Sequence, residues 1–182
     1  MPTERLFVAC ELPPPVRAVL AALATPLPGV AWTRPEQLHL TLRFLGDVDT
    51  DRIGALREKL PAVRVAPFLL PVEGLGTFPP QRPPRVLWAG VGSGHPHLFQ
   101  LRQRLDDALL AAGLDFDLRT FQPHITLARC AETAAGPVAH WLHLHRDFAA
   151  PPFRVDSFGL WSSELHAGGA VHELKQLFPL SN

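Results

Sequence analysis

Tyrosine is absent from this chain, so no phenol hydroxyl is available for proton transfer or for holding a ligand. Cysteine is nearly absent. Cys10 and Cys130 are too few for a disulfide scaffold and lack the spacing of a metal-binding set. Both fall in apolar runs that read as strands, which predicts buried free thiols. An excess of one charge is missing too: 17 basic residues face 17 acidic ones, and the formal net charge is +0. A protein that grips long nucleic acid through its phosphates carries a basic excess. A nucleotide ligand here is therefore expected to be short, or held locally by a few arginines. No apolar run approaches membrane-spanning length, and Met1-Pro2-Thr3-Glu4-Arg5 has no charged-then-apolar leader, so the expectation is a cytoplasmic protein without membrane contact.

What is present describes a globular chain. Hydrophobic residues make up 47% and charged residues 19% of 182 positions, enough for one core or for two small lobes sharing one. All basic residues except Lys59 and Lys175 are arginine, which suits bidentate phosphate contacts. Residues 5–12 read as a strand ended by prolines, and Val16 to about Ala24 as a helix with Pro15 near its first turn. A Pro/Gly turn follows from Pro26 to Gly29. Asp47-Val48-Asp49-Thr50 is expected to cap a helix running to about Leu60. Residues 66–75 read as a strand, 76–85 as a proline-rich loop, Val86 to Val91 as a strand, and Leu98 to Ala112 as a helix closed by Gly113.

Two tetrapeptides organise the rest: His39-Leu40-Thr41-Leu42 and His124-Ile125-Thr126-Leu127. From this chain's own composition, about a hundredth of a copy of such a pattern is expected by chance, so two copies carry information. Strand side chains alternate between faces. The alternation puts His39, Thr41 and Arg43 on an open face, with Leu38, Leu40, Leu42 and Phe44 against a core, and likewise pairs His124 with Thr126. A shift of 85 residues also superposes Gln37 on Gln122, Phe68 on Phe153, Gly74 on Gly159, Leu75 on Leu160 and Val86 on Val171. The offset indicates an internal duplication, with approximate repeats 16–91 and 98–178 in a single 1–182 domain. The expected fold is α+β and bilobal: two pseudo-symmetric lobes, each with an antiparallel sheet and flanking helices, around a central cleft where the His-Thr faces confront one another.

Two imidazoles across a cleft can divide acid and base work near neutral pH. Displacement at phosphorus needs that division, since an entering oxygen loses a proton while a leaving oxygen gains one. Threonine hydroxyls two residues away can donate to the equatorial phosphate oxygens. No metal and no other cofactor is required by this constellation.

The chain resembles the 2H phosphoesterase superfamily, and within it the bacterial and archaeal RNA 2',3'-cyclic phosphodiesterases, also called 2'-5' RNA ligases. The likeness rests on Arg5-Leu6-Phe7-Val8-Ala9, His39-Leu40-Thr41-Leu42-Arg43-Phe44-Leu45-Gly46, Pro84-Arg85-Val86-Leu87-Trp88 and Pro123-His124-Ile125-Thr126-Leu127-Ala128-Arg129. The resemblance implies two antiparallel sheets flanking a cleft and metal-independent opening of a terminal ribose 2',3'-cyclic phosphate. It names His39 and His124 as catalytic, with RNA ends or nucleotides bearing a cyclic phosphate as the partners and no protein partner, in a monomer. It places the arginine ending the second motif, Arg129, in the phosphate site. Simple alternation gives Arg129 the opposite parity from His124, so a bulge or strand end must turn it inward. Arg43 has the right parity for phosphate, although a strand salt bridge accounts for it equally. His172 stands where relatives often carry tyrosine.

Other signals are weaker. His140, His143 and His145 lack a completing carboxylate or cysteine and read as a helix edge rather than a metal site. Gly90-Val91-Gly92-Ser93-Gly94 lacks the Lys-Ser/Thr of a phosphate loop and reads as a turn. Phe7 is the choice for an aromatic stacking on a base at the cleft rim. Rival readings are an RNA ligase using a 5'-hydroxyl in place of water, and a non-catalytic nucleotide-binding module.

Overall fold

The computed structural model describes residues 2–80, 83–92, 94–115 and 119–182. Parts of the expected proline-rich loop (Gln81, Arg82) and of the glycine turn (Ser93) lie outside these. In chain order the elements are β1 (Thr3–Glu11), α1 (Pro14–Ala21), β2 (Val30–Trp32), β3 (His39–Asp49), α2 (Ile53–Lys59), β4 (Phe68–Phe78), β5 (Val86–Val91), α3 (Pro96–Ala111), β6 (His124–Cys130), α4 (Ala135–Leu144), β7 (Ala149–Val155), β8 (Ser157–His166) and β9 (Gly169–Pro179).

The strands pair antiparallel in the order β7-β4-β5-β6-β3-β1-β8-β9, with β2 beside β6. The lobes are not the two halves of the sequence. The first motif strand, β3, joins β1 and the late strands β8 and β9, whereas the second, β6, joins the early strands β5 and β4 together with β7. The two sets meet at one pair, Leu40 opposite Ile125, so the sheets expected on either side of a cleft are one curled sheet with a narrow waist. This waist lies between the two motifs and brings both His-Thr pairs to the centre of the molecule.

Burial explains the frame. β1 is buried without a break from Leu6 to Cys10, as a central strand covered on both faces must be. On α3, Leu98, Leu101, Leu105 and Leu109 are all fully buried at helical spacing. Each such leucine contributes about 1.5–3 kcal/mol relative to exposure. The helix stops where Gly113 takes φ 76°: its N–H bonds Leu110 O and that of Leu114 bonds Leu109 O, which satisfies the last carbonyls. The expected cap of α2 differs. Asp47, Val48 and Asp49 continue β3 against Arg5, Glu4 and Thr3 of β1, and the helix begins through a 3-10 turn (Thr50–Arg52) without a side-chain cap. Ladder pairing with β1 outweighs the capping tendency of the aspartates.

Candidate active site

A bulge builds each half of the site. Along β3 the partner in β1 steps from Ala9 opposite Thr41 to Val8 opposite Arg43, leaving Leu42 as the extra residue. Along β6 the partner in β5 steps from Trp88 opposite Thr126 to Leu87 opposite Ala128, leaving Leu127 extra. The two bulges lie at matching positions of the repeat. An extra residue reverses the side-chain parity beyond it. Accordingly Leu42 and Arg43 are both buried, as are Leu127 and Ala128. The bulge carbonyls leave the ladder and find other donors: Arg102 Nη1 reaches Leu42 O at 2.7 Å, and the Thr33 N–H reaches Leu127 O at 2.8 Å.

The parity change sets where three of the residues singled out in the sequence lie. Arg129, out of phase by plain alternation, is brought onto the face of His124 and Thr126. Arg43 is carried off that face. It is 8% exposed and forms a bidentate pair with Asp106 of α3, Nε to Oδ1 at 2.9 Å and Nη2 to Oδ2 at 2.6 Å, which commits its guanidinium to the fold and turns it away from the His-Thr face. Phe44, expected in the core, instead emerges 66% exposed on the side of His39 and Thr41. It occupies in the first lobe the position that Arg129 holds in the second.

Phe7 also departs from expectation. At 2% exposure it has no open face for a base. Its ring packs 5.1 Å from His39, 4.9 Å from His172 and stacked 6.3 Å from Trp161, so it walls the first histidine. Phe78 plays the matching part for His124, edge-on at 4.9 Å, with Trp88 at 6.4 Å. Trp88 lies flat on bare backbone: a Cβ on Gly76 would come within 2.3 Å of its indole.

Both histidines are held alike. His39 Nδ1 donates to the carbonyl of Gln37 at 2.6 Å, and His124 Nδ1 to that of Gln122 at 2.7 Å. A carbonyl only accepts, so the proton is on Nδ1 and Nε2 is left as the nitrogen that exchanges protons. The repeated glutamines at 37 and 122 marked this arrangement in the sequence, although its backbone origin was not legible there. The Gln37 side chain also ties the site to the β8–β9 hairpin through the carbonyl of Ala170.

The electrostatics separate the pair. Burial pushes the His39 imidazole down to about 4, assisted by His172 and His124 and opposed by the Gln37 carbonyl. His124 is also lowered, by burial first and by the Arg129 charge, while the Gln122 carbonyl opposes the shift. His172, the residue sequence reasoning left without a role, lies edge-on 5.3 Å from His39 and is likewise lowered by burial. Thr41 and Thr126 are half-buried on the same strand faces as their histidines. Two cavities flank the waist. One of about 270 Å³ borders His39, Phe7, Trp161 and His172; the other, of about 530 Å³, borders His124, Phe78, Trp88, Phe99 and Phe121.

Cys10 is fully buried and its thiol is pushed up to about 12, the opposite of a nucleophile. Cys130 is half-buried. His140 and His143 are exposed on α4, and His145 Nδ1 bonds Trp141 O at its end. Among the described residues no group of three or more His, Cys, Asp or Glu is placed to hold a metal ion, and no helix is long and apolar enough to cross a membrane.

A curled antiparallel sheet that presents one His-x-Thr pair from each side of its waist defines the class of the 2H phosphoesterases. The chain belongs to the LigT-like phosphoesterase family, whose model matches residues 11–88 and 91–172. It is 34% identical to the RNA 2',3'-cyclic phosphodiesterase of Archaeoglobus fulgidus over 177 residues, covering 96% of this chain and 99% of the relative. A Geobacillus stearothermophilus protein of the same name is 36% identical over 135 residues, but the match spans 71% of this chain and only 43% of that one. Among solved structures, E. coli LigT complexed with 3'-AMP superposes with a TM-score of 0.80 at 26% identity, over 99% of each chain.

Proposed function

We propose that the protein hydrolyses nucleoside and RNA-terminal 2',3'-cyclic phosphates to 2'-phosphates by two-histidine acid–base catalysis. The observation that carries this reading is the pair of imidazoles fixed through Nδ1 to backbone carbonyls, each beside a threonine of its own strand, on either side of one waist. Relatives named for this activity and the complex of E. coli LigT with 3'-AMP support it.

In the reaction His124 Nε2 takes a proton from water as the water oxygen bonds to phosphorus. The bond from phosphorus to the ribose 3'-oxygen breaks, and His39 Nε2–H gives its proton to that oxygen. A 2'-phosphate and a 3'-hydroxyl result, and proton exchange with solvent resets the two rings. The Arg129 charge disfavours a second cation on His124 and so keeps it neutral, as a base must be before attack. An imidazolium whose surroundings hold it at a low pKa is the stronger proton donor, which suits His39 to the leaving oxygen; the bound phosphate's negative charge loads it. Thr41, Thr126 and Arg129 bind the equatorial oxygens.

The test is incubation with nucleoside 2',3'-cyclic monophosphates and cyclic-phosphate-ended RNA in EDTA, with products read by phosphorus NMR. Nucleoside 2'-monophosphate is expected. Predominant 3'-monophosphate would overturn the orientation, turnover that needs an added divalent ion would overturn the metal-free mechanism, and no turnover of either substrate would overturn the function.

A further inference from the structure

The cavity beside His39 also receives Arg17 from α1 and Arg34 from the segment before β3, together with Glu11 and Glu36. The 85-residue offset gives both arginines counterparts, Arg102 and Arg119. Arg102 is committed to the fold: its Nε bonds Asp106 at 3.1 Å and its Nη1 bonds Leu42 O at 2.7 Å. The position matching Asp106 one turn beyond Arg17 is Ala21, so Arg17 has lost the acid that its counterpart keeps. One bond remains to it, Nη2 to Leu12 O at 3.1 Å, and its Nε is buried without a partner. The Arg34 side chain has no hydrogen bond or ion pair among the described residues, and neither Glu11 nor Glu36 is ion-paired to either guanidinium. A buried guanidinium N–H without an acceptor costs free energy until an acceptor arrives. Two guanidiniums without anions around one cavity that opens on a histidine form a site for a phosphate.

We propose that Arg17 and Arg34 bind the phosphate on the 5' side of the terminal nucleoside, so that the site reads an RNA end and not only a cyclic mononucleotide. The placement rests on the reading above, in which the 3'-oxygen faces His39. In ribose the 3'-carbon is bonded to the 4'-carbon, which carries C5' and the next phosphate, whereas the 2'-carbon adjoins the base-bearing carbon. A ribose presenting its 3'-oxygen to His39 therefore directs its 5'-phosphate to the same wall, where Arg17 and Arg34 stand.

Calorimetry tests the subsite without turnover, comparing adenosine 2'-monophosphate with adenosine 2',5'-bisphosphate. The bisphosphate is expected to bind the unaltered protein about tenfold or more tightly, the range for charged hydrogen bonds gained. Arg34→Gln, on an exposed side chain, and Arg17→Met should each erode that preference, and the double variant should abolish it, with Arg34→Lys restoring part. Equal affinity for the two nucleotides, or a preference that survives in the double variant, would overturn the proposal. In turnover, the double variant should lower kcat/KM for a dinucleotide ending in a 2',3'-cyclic phosphate about tenfold more than for the cyclic mononucleotide; an equal loss on both would count against it. If the mononucleotide is not turned over but the bisphosphate preference holds and depends on the two arginines, the hydrolase reading fails while the subsite stands.

Discussion

The two motif strands carry the same histidine, the same threonine and a bulge at the same place, and they part company only beyond it. In the first lobe the bulge buries Arg43 against Asp106 and presents Phe44 to solvent; in the second it buries Ala128 and presents Arg129. The shared part sets up two proton-exchanging nitrogens of like tautomer. The divergent part makes the lobes unequal: a cation stands beside His124, whereas His39 is enclosed by Phe7 and His172 and is driven to about 4. Like frames with unlike neighbours are what the proposed reaction needs, in which one histidine gives a proton to the leaving group while the other takes one from water.

The largest effects should come from what the lobes share. His39→Ala and His124→Ala should each lower kcat by roughly 10²- to 10⁴-fold, and the double variant should fall well short of the product of the two losses because both act in one transition state. Near-normal turnover in either single variant would break the pairing. Thr41→Ala and Thr126→Ala should cost on the order of 10²-fold, typical of one donor lost from a developing oxyanion.

The arginines sharpen the contrast between the lobes. Arg129→Ala should reduce kcat/KM with the melting temperature nearly unchanged. Arg43→Ala should instead destabilise the fold by about 1–3 kcal/mol, since it empties a buried position and leaves half-buried Asp106 with Arg102 as its one cation of the pair. Denaturant unfolding beside steady-state kinetics separates the two; an Arg43 variant of normal stability with lost substrate affinity would return Arg43 to the phosphate site.

Acid should reveal the enclosed histidine more gently. A group whose folded pKa lies below its unfolded value of 6.5 leaves the unfolded state holding more protons between the two, so stability is full above pH 6.5 and falls as pH drops toward about 4. The loss attributable to His39 is on the order of 3 kcal/mol at most. His124 and His172 act in the same direction. His39→Gln should flatten this dependence, and an unchanged slope in urea unfolding across pH 4 to 6.5 would contradict the burial of the charge. In kinetics the basic limb for kcat should lie at higher pH than that for kcat/KM, because bound phosphate restores the histidine pKa values.

The motif histidines, their threonines and the helix of α3 were legible because each is a local pattern: alternation, helical spacing, a terminal glycine. Arg43, Phe44 and Arg129 are not fixed by alternation, since one extra residue at Leu42 and at Leu127 inverts the residues that follow it, and neither sequence marks the bulge. The Arg129 reading needs a strand end or a bulge to turn the side chain inward, and β6 has a bulge at Leu127; the same feature in β3 turns Arg43 towards Asp106. The burial of Phe7 is not legible, because a strand buried on both faces shows no alternation to read. The interleaving of early and late strands around each motif was likewise beyond a local pattern, being set by which edges pair across the waist.

The division of labour between the two histidines is tested most directly by a cyclic substrate whose 3'-oxygen is replaced by sulfur, a leaving group that needs little help from an acid. Hydrolysis of this substrate should be restored strongly in His39→Ala and scarcely at all in His124→Ala. Restoration in His124→Ala alone would exchange the two roles, and equal restoration in both would contradict the claim that the lobes do different work.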